Sequence, residues 1–293
     1  MAAVQAPGQG AAEQSPSPGK DEPHERRGPE KTGGRRLAGG GSAPRIALQI
    51  LTAGALVAGS LAPALADCNE APAPGVTWYS CDLEGADLAG VDLRGASLYR
   101  SRLTGADLSG ASLRDADLSS AELEGAVLDG AELRNASLAS AKLAGASLQG
   151  ADLRRASLPR ADLSGAVLER ARAGGANLAG ARLADARLAG ASLAGADLSE
   201  VTAPGADFSG ADLSDAELRL ANLEDARLQG ATLAGADLRG ATLFGADLRE
   251  ADLRGADLHR ADLTDVRLAG ALLGNVIWTD RRRCRPESVG ECL

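Results

Sequence analysis

Residues 81–120 read CDLEG ADLAG VDLRG ASLYR SRLTG ADLSG ASLRD ADLSS, and the same five-residue rhythm runs without insertion to Val276–Asp280, 40 units in all. The middle residue of each unit, its centre, is Leu in 36 of them; the exceptions are Ala173, Ala203, Phe208 and Trp278. Two residues before the centre stands Ala in 34 units, and the last position is Gly in 22. A period of five matches neither the helix nor the strand, and so many glycines oppose a helix. It fits a chain that turns a corner every five residues and points Ala and Leu inward each time. Gly supplies the positive φ that a type II turn needs at its third residue. Four corners close a 20-residue coil, and ten coils stacked about 4.8 Å apart make a rod of roughly 48 Å.

A step of 20 leaves its own mark on the charges. Just before the centre, one column reads Asp82, Arg102, Glu122, Lys142, Asp162, Arg182 and a second reads Arg187, Asp207, Arg227, Asp247, Arg267. The sign alternates at every step, as side chains stacked about 4.8 Å apart require.

Tandem A(D/N)LxG units of this kind resemble the pentapeptide repeat proteins. The resemblance covers most of the chain, from the N-terminal cap to the end of the repeat, and implies an all-β, right-handed quadrilateral β-helix of about ten coils with four units each. The organisation expected is a Gly/Pro-rich basic segment at 1–45, an apolar signal h-region or signal anchor at 46–66, an N-terminal cap at 67–80, the β-helix at 81–280 and a C-terminal cap at 281–293.

Residues 1–45 show no helical or strand period and read as disordered. Ile46–Ala66 carries no charge, follows Arg35, Arg36 and Arg45, and ends in Ala64-Leu65-Ala66, the layout of a secretory signal cleaved before Asp67. An uncleaved signal anchor is the second reading, since 21 apolar residues suffice to span a bilayer. Both export the repeats, because the positive flank stays inside. The localisation expected is periplasmic or extracellular, or inner-membrane anchored with the repeats outside; the membrane is touched only through 46–66 if uncleaved.

A solenoid needs lids at its raw ends. Trp78 and Trp278 lie on one column 200 residues apart and are read as those lids. Cys68 and Cys81 flank one, Cys284 and Cys292 the other. Ends roughly 48 Å apart restrict disulfides, whose Cα atoms must lie within about 7 Å, to Cys68–Cys81 and Cys284–Cys292. Export permits both, and no His near either pair suggests a metal. The tail is also similar to the Cys-containing tails of exported pentapeptide repeat proteins.

Chemistry is sparse. The chain has two His, one Met and six aromatic residues, so haem, zinc and His-based catalysis start poorly placed, and no cofactor or metal site is expected. His259, the single His among the repeats, takes an outward position with no nucleophile assigned to it by motif and reads as a surface residue. The column Asp197, Glu217, Asp237, Asp257 is either a site for a basic partner or a solvated face relieved by Arg219 and Arg239; the second is favoured. Arg94, Arg114, Arg134 and Arg154 form a ladder that either receives an anionic polymer or lipid headgroup or is neutralised by Asp92, Glu132 and Asp152. It is the best single patch for a partner.

Residues 1–66 carry +2 and the rest −11, and an acidic body argues against nucleic acid as a direct partner. The function expected is a non-enzymatic, exported scaffold of the bacterial cell envelope whose partner is an unidentified envelope protein or polymer. The alternative, implied by resemblance, is an acidic DNA mimic that inhibits a DNA-binding enzyme such as gyrase, which requires the cytoplasm.

Overall fold

The computed structural model describes residues 68–293; the segment 1–45 and the apolar run 46–66 lie outside the described residues. From Thr77 onward every unit repeats one local structure. Its second residue bridges in parallel to the residue 20 positions later: Asp82 to Arg102, Asp87 to Asp107, Asp92 to Ser112, Ser97 to Asp117, and so on to Asp257 with Ile277. The centre N–H donates up to the next coil (Leu83 to the Arg102 carbonyl, 2.8 Å) and the bridging N–H donates back (Arg102 to the Cys81 carbonyl, 2.9 Å). The result is the four-sided coil that a period of five demands. Four faces follow: the first holds the units beginning at 81, 101 and onward, the second those at 86, the third those at 91, the fourth those at 76 and 96.

Each corner after the one at Trp78–Cys81 is a turn closed by a hydrogen bond from the next unit, as from Ala86 N–H to the Leu83 carbonyl at 3.1 Å. The fifth residue of every unit but the last adopts positive φ, Gly or not. Leu220 does so at 58° and Arg155 at 59°. A non-Gly residue there costs on the order of 1 kcal/mol, which the flanking ladder bonds offset. The Asp or Asn at the second position serves the same turn, since its carboxyl or amide oxygen accepts the N–H two residues on, at 2.9 Å for Asp107 with Ser109 and for Asn177 with Ala179.

The centres and the Ala two residues earlier form one continuous apolar column. Interior centres are wholly buried, Phe208 among them. Burial of this order stabilises by about 1.5–3 kcal/mol per Leu, so the column rather than any one contact holds the rod.

The ends differ. At the first, Trp78 is buried, its indole Nε1 donates to the Glu70 carbonyl at 3.2 Å, and Cys68 is bonded to Cys81 with Cα atoms 5.5 Å apart. At the second, the chain reverses after Asp280 and lies back over two faces only. Arg283 pairs antiparallel with Ile277 on the fourth face, Val289 with Leu272 on the third. A disulfide between Cys284 and Cys292, Cα atoms 4.9 Å apart, closes this loop. Gly274 admits it: a Cβ there would stand 2.4 Å from the Pro286 carbonyl oxygen. Trp278 is only half-buried.

Candidate functional site

The arginine ladder lies along the third face, where successive coils stack the fourth residue of each unit. The signs compensate, partly within a unit and partly between coils. Arg94 forks onto Asp92 two residues before it, Nε to Oδ1 at 2.8 Å and Nη2 to Oδ2 at 2.6 Å. Arg114 instead reaches Glu132 of the next coil at 2.9 Å, and Arg134 reaches Asp152 at 2.5 Å. The sequence names these three carboxylates, and the stacking adds that Glu132 and Asp152 serve the Arg of the coil before.

Asp152 is the convergence point. Its side chain is 4% exposed, and Arg134, Arg154 and Arg172 contact one oxygen, Oδ2, at 2.5, 2.7 and 3.2 Å. A buried carboxylate needs such partners, but three guanidiniums exceed what one carboxylate neutralises. Along residues 91–175 the third face holds six Arg and four Asp or Glu, a local excess of +2 on a body of −11. A shallow hollow opens along its first three coils between Asp92, Arg94, Ser112, Arg114 and Glu132.

The acidic column on the fourth face is compensated too. Arg239 forks onto Asp237 (Nε to Oδ1 2.7 Å, Nη2 to Oδ2 2.5 Å) and lies 3.9 Å from Asp257. Arg219 sits 3.2 Å from Glu217 and 3.9 Å from Asp237. The Arg239 hydrogen bond holds the Asp237 carboxyl below the ordinary carboxylate range. Asp197 accepts the Ser199 N–H at 3.0 Å. Coil stacking thus brings Glu217, Asp237 and Asp257 together with Arg219 and Arg239 as a solvated, paired face, while Asp197 makes no ion pair among the described residues.

His259 follows Arg219 and Arg239 in the neighbouring column of the same face. Its Nδ1 lies 3.3 Å from the Thr279 carbonyl, and its Nε2 accepts from Arg281 Nε at 3.0 Å. Both ring nitrogens are therefore engaged, tying the coil before the last to Thr279 of the last coil and to Arg281 at the start of the tail. Among the described residues, no group of three or more His, Cys, Asp or Glu is placed to hold a metal ion, and no helix is long and apolar enough to cross a membrane.

Sequence reasoning missed the Asp-Leu-Arg clamp. At 92–94, 152–154, 237–239, 247–249 and 252–254, one Asp accepts both the backbone N–H and the guanidinium fork of the Arg two residues on. The recurring tripeptide was the available signal. The alternating columns are present as pairs rather than continuous chains: Asp82–Arg102 at 2.5 Å, Glu122–Lys142 at 2.7 Å, Asp162–Arg182 at 3.9 Å.

A four-sided, right-handed β-helix with this register defines a class of solenoid built from pentapeptides. The chain belongs to the pentapeptide repeat family, whose model matches in eight copies between residues 79 and 277. It is similar to HetL, a pentapeptide repeat protein involved in heterocyst differentiation regulation from the cyanobacterium Nostoc sp. strain PCC 7120, at 35% identity over 72% of this chain and 92% of that one, TM-score 0.52. A pentapeptide repeat protein of the Arabidopsis thaliana thylakoid lumen is 38% identical over 36% of this chain and 70% of its own, TM-score 0.22. QnrB1, a plasmid-mediated fluoroquinolone resistance protein, is 21% identical over 65% and 84%, TM-score 0.34. No curated protein matches the chain.

Proposed function

We propose that this chain is a non-enzymatic scaffold of the bacterial cell envelope, exported by the segment ahead of residue 67 and presenting its third face to an anionic partner. The pair of disulfides carries this reading. Each closes one end of the rod, and such bonds persist in oxidising compartments and are rare in the cytosol. A DNA mimic would work in the cytoplasm, where both would be open, so the disulfides weigh against it. The cationic excess around Asp152 supports an anionic polymer or acidic protein surface as the partner, since the rest of the body would repel one.

Fractionation of the native host tests the reading. The expected result is an envelope fraction in which the chain begins at Asp67 and non-reducing peptide maps link Cys68 to Cys81 and Cys284 to Cys292. A soluble cytoplasmic chain with Met1 intact and four free thiols overturns it.

A further inference from the structure

The second end of the rod is half-built. In every interior coil the first residue's carbonyl and the centre's N–H bond to the next coil. On the last coil the tail takes this pair on the third face (Gly290 N–H to Ala271 carbonyl 2.8 Å, Leu273 N–H to Ser288 carbonyl 2.9 Å) and on the fourth (Cys284 N–H to Val276 carbonyl 2.9 Å, Trp278 N–H to Arg282 carbonyl 2.8 Å). On the first and second faces the same pairs, Ala261 carbonyl with Leu263 N–H and Val266 carbonyl with Leu268 N–H, find no partner among the described residues. Beneath them Leu263, Val266 and Leu268 are only partly covered. The tail carries matching orphans on its outer edge, the N–H and carbonyl groups of Arg283 and Val289. Unpaired edges of this kind are templates for another chain.

We propose that two copies of this chain join tail to tail about a two-fold axis, the tail of each covering the open half of the other. The axis runs in the plane of the end, through the corner between the first and fourth faces and the corner between the second and third. It sets the first face of one copy over the fourth of the other, and the second over the third. Direction agrees. The tail runs opposite to the coil beneath it, and a copy turned over runs the same way as that tail. Arg283 N–H then donates to the Ala261 carbonyl of the second copy and the Arg283 carbonyl accepts its Leu263 N–H; Val289 does the same with Val266 and Leu268. This is the parallel bridge that joins every coil, made twice by each tail.

Height agrees as well. With a coil rise of about 4.8 Å, each face stands about 1.2 Å above the one before it, and the tail adds about 4.8 Å to the third and fourth. The two copies' heights then sum to about 8.4 Å at all four faces. Charge completes the fit. Asp262 and Arg283 form no ion pair within the chain; Asp262 accepts only from Thr264. Across the axis they stack, extending the alternation of Asp82 with Arg102. The surface is isologous, as closed dimers require.

Sedimentation velocity of the purified full chain with its disulfides intact tests this. The expected result is a monomer–dimer equilibrium, with the longest dimension of the dimer in small-angle scattering about twice that of the monomer. Arg283→Pro and Val289→Pro delete N–H groups that bond nothing within the chain, and each should leave the melting temperature and the Cys284–Cys292 linkage intact while weakening the dimer at least about tenfold. Asp262→Arg and Arg283→Asp should each weaken it, and the double variant should recover affinity. A photo-crosslinker at 283 should capture residues 261–263 of a second copy. A monomer at every concentration, a dimer indifferent to these substitutions, or crosslinks to the first end of the rod overturns the proposal.

Discussion

The Ser101 hydroxyl accepts the Cys81 backbone N–H at 3.1 Å and donates to the Trp78 carbonyl. Those two backbone groups would bond each other in an ordinary corner, as Ala86 does to Leu83. At the unit where the Cys68–Cys81 disulfide enters, the corner is opened and Ser101, wholly buried, spans the gap. This accounts for a Ser where the repeat prefers Ala.

Restoring the preferred residue should therefore harm the protein. Ser101→Ala leaves a buried donor and a buried acceptor without partners, a loss of about 1–3 kcal/mol. Thermal or denaturant unfolding should show it as a clear drop in midpoint, whereas Ser157→Ala, at a half-exposed second position, should change little. Equal stability of Ser101→Ala and the parent would show that the hydroxyl bridge is dispensable.

Asp152 should matter more than any other clamp carboxylate. Its loss leaves Arg134, Arg154 and Arg172 facing one another. Because the three guanidiniums are about half exposed, solvent screens part of the repulsion, and Asp152→Ala should cost about 1–3 kcal/mol. Asp92, 43% exposed with one Arg, should lose far less on the same change, because solvent screens an exposed pair. Asp152→Asn keeps an acceptor for the Arg154 N–H and should fall between. A larger loss at Asp92 than at Asp152 would contradict the convergence.

The period of five, the 20-residue coil and the alternation of charge were legible because each is a translation along one axis, repeated often enough to stand out in a single sequence. What escaped was set by breaks in that translation. Arg172 reaches Asp152 because unit 171–175 replaces the usual acidic or neutral second residue with Arg, and the spacing of the ladder gave no sign of it. Positive φ at Arg155 or Leu220 was hidden because Gly marked the corner elsewhere. The half-covered end was hidden because the tail leaves the repeat at Asp280, and only backbone pairing shows which faces it crosses.

Acid should destabilise the rod. The Arg249 and Arg254 hydrogen bonds depress the Asp247 and Asp252 carboxyls, as Arg239 does Asp237, and the Ser109 and Thr264 hydroxyls depress Asp107 and Asp262. For a group whose folded value lies below its unfolded one, the stabilisation is complete above the unfolded value and fades as pH falls through the folded value. Unfolded carboxylates titrate near about 4. The melting temperature of the oxidised protein should therefore vary little from neutral pH down to about 5 and decline below about 4. A midpoint that rises on acidification would mean that repulsion among the excess carboxylates outweighs their clamps.

Two interior centres are Ala. Ala203 shares its coil, residues 201–220, with Val201 and Phe208, both wholly buried. Phe208 occupies the next centre and extends into the column farther than a Leu would, so the volume withheld at Ala203 is supplied beside it. Ala173 has no such neighbour: Leu163, Leu168 and Leu178 complete its coil, and Gly174 and Gly175 add nothing. A Leu-to-Ala change in a core costs about 2–5 kcal/mol, depending on how far the site collapses. Ala173→Leu should run that change in reverse and raise the denaturation midpoint. Ala203→Leu would press against Phe208, where overpacking typically costs about 1–3 kcal/mol and cancels the burial gained. Equal midpoint shifts for the two substitutions would show that Phe208 does not compensate for Ala203.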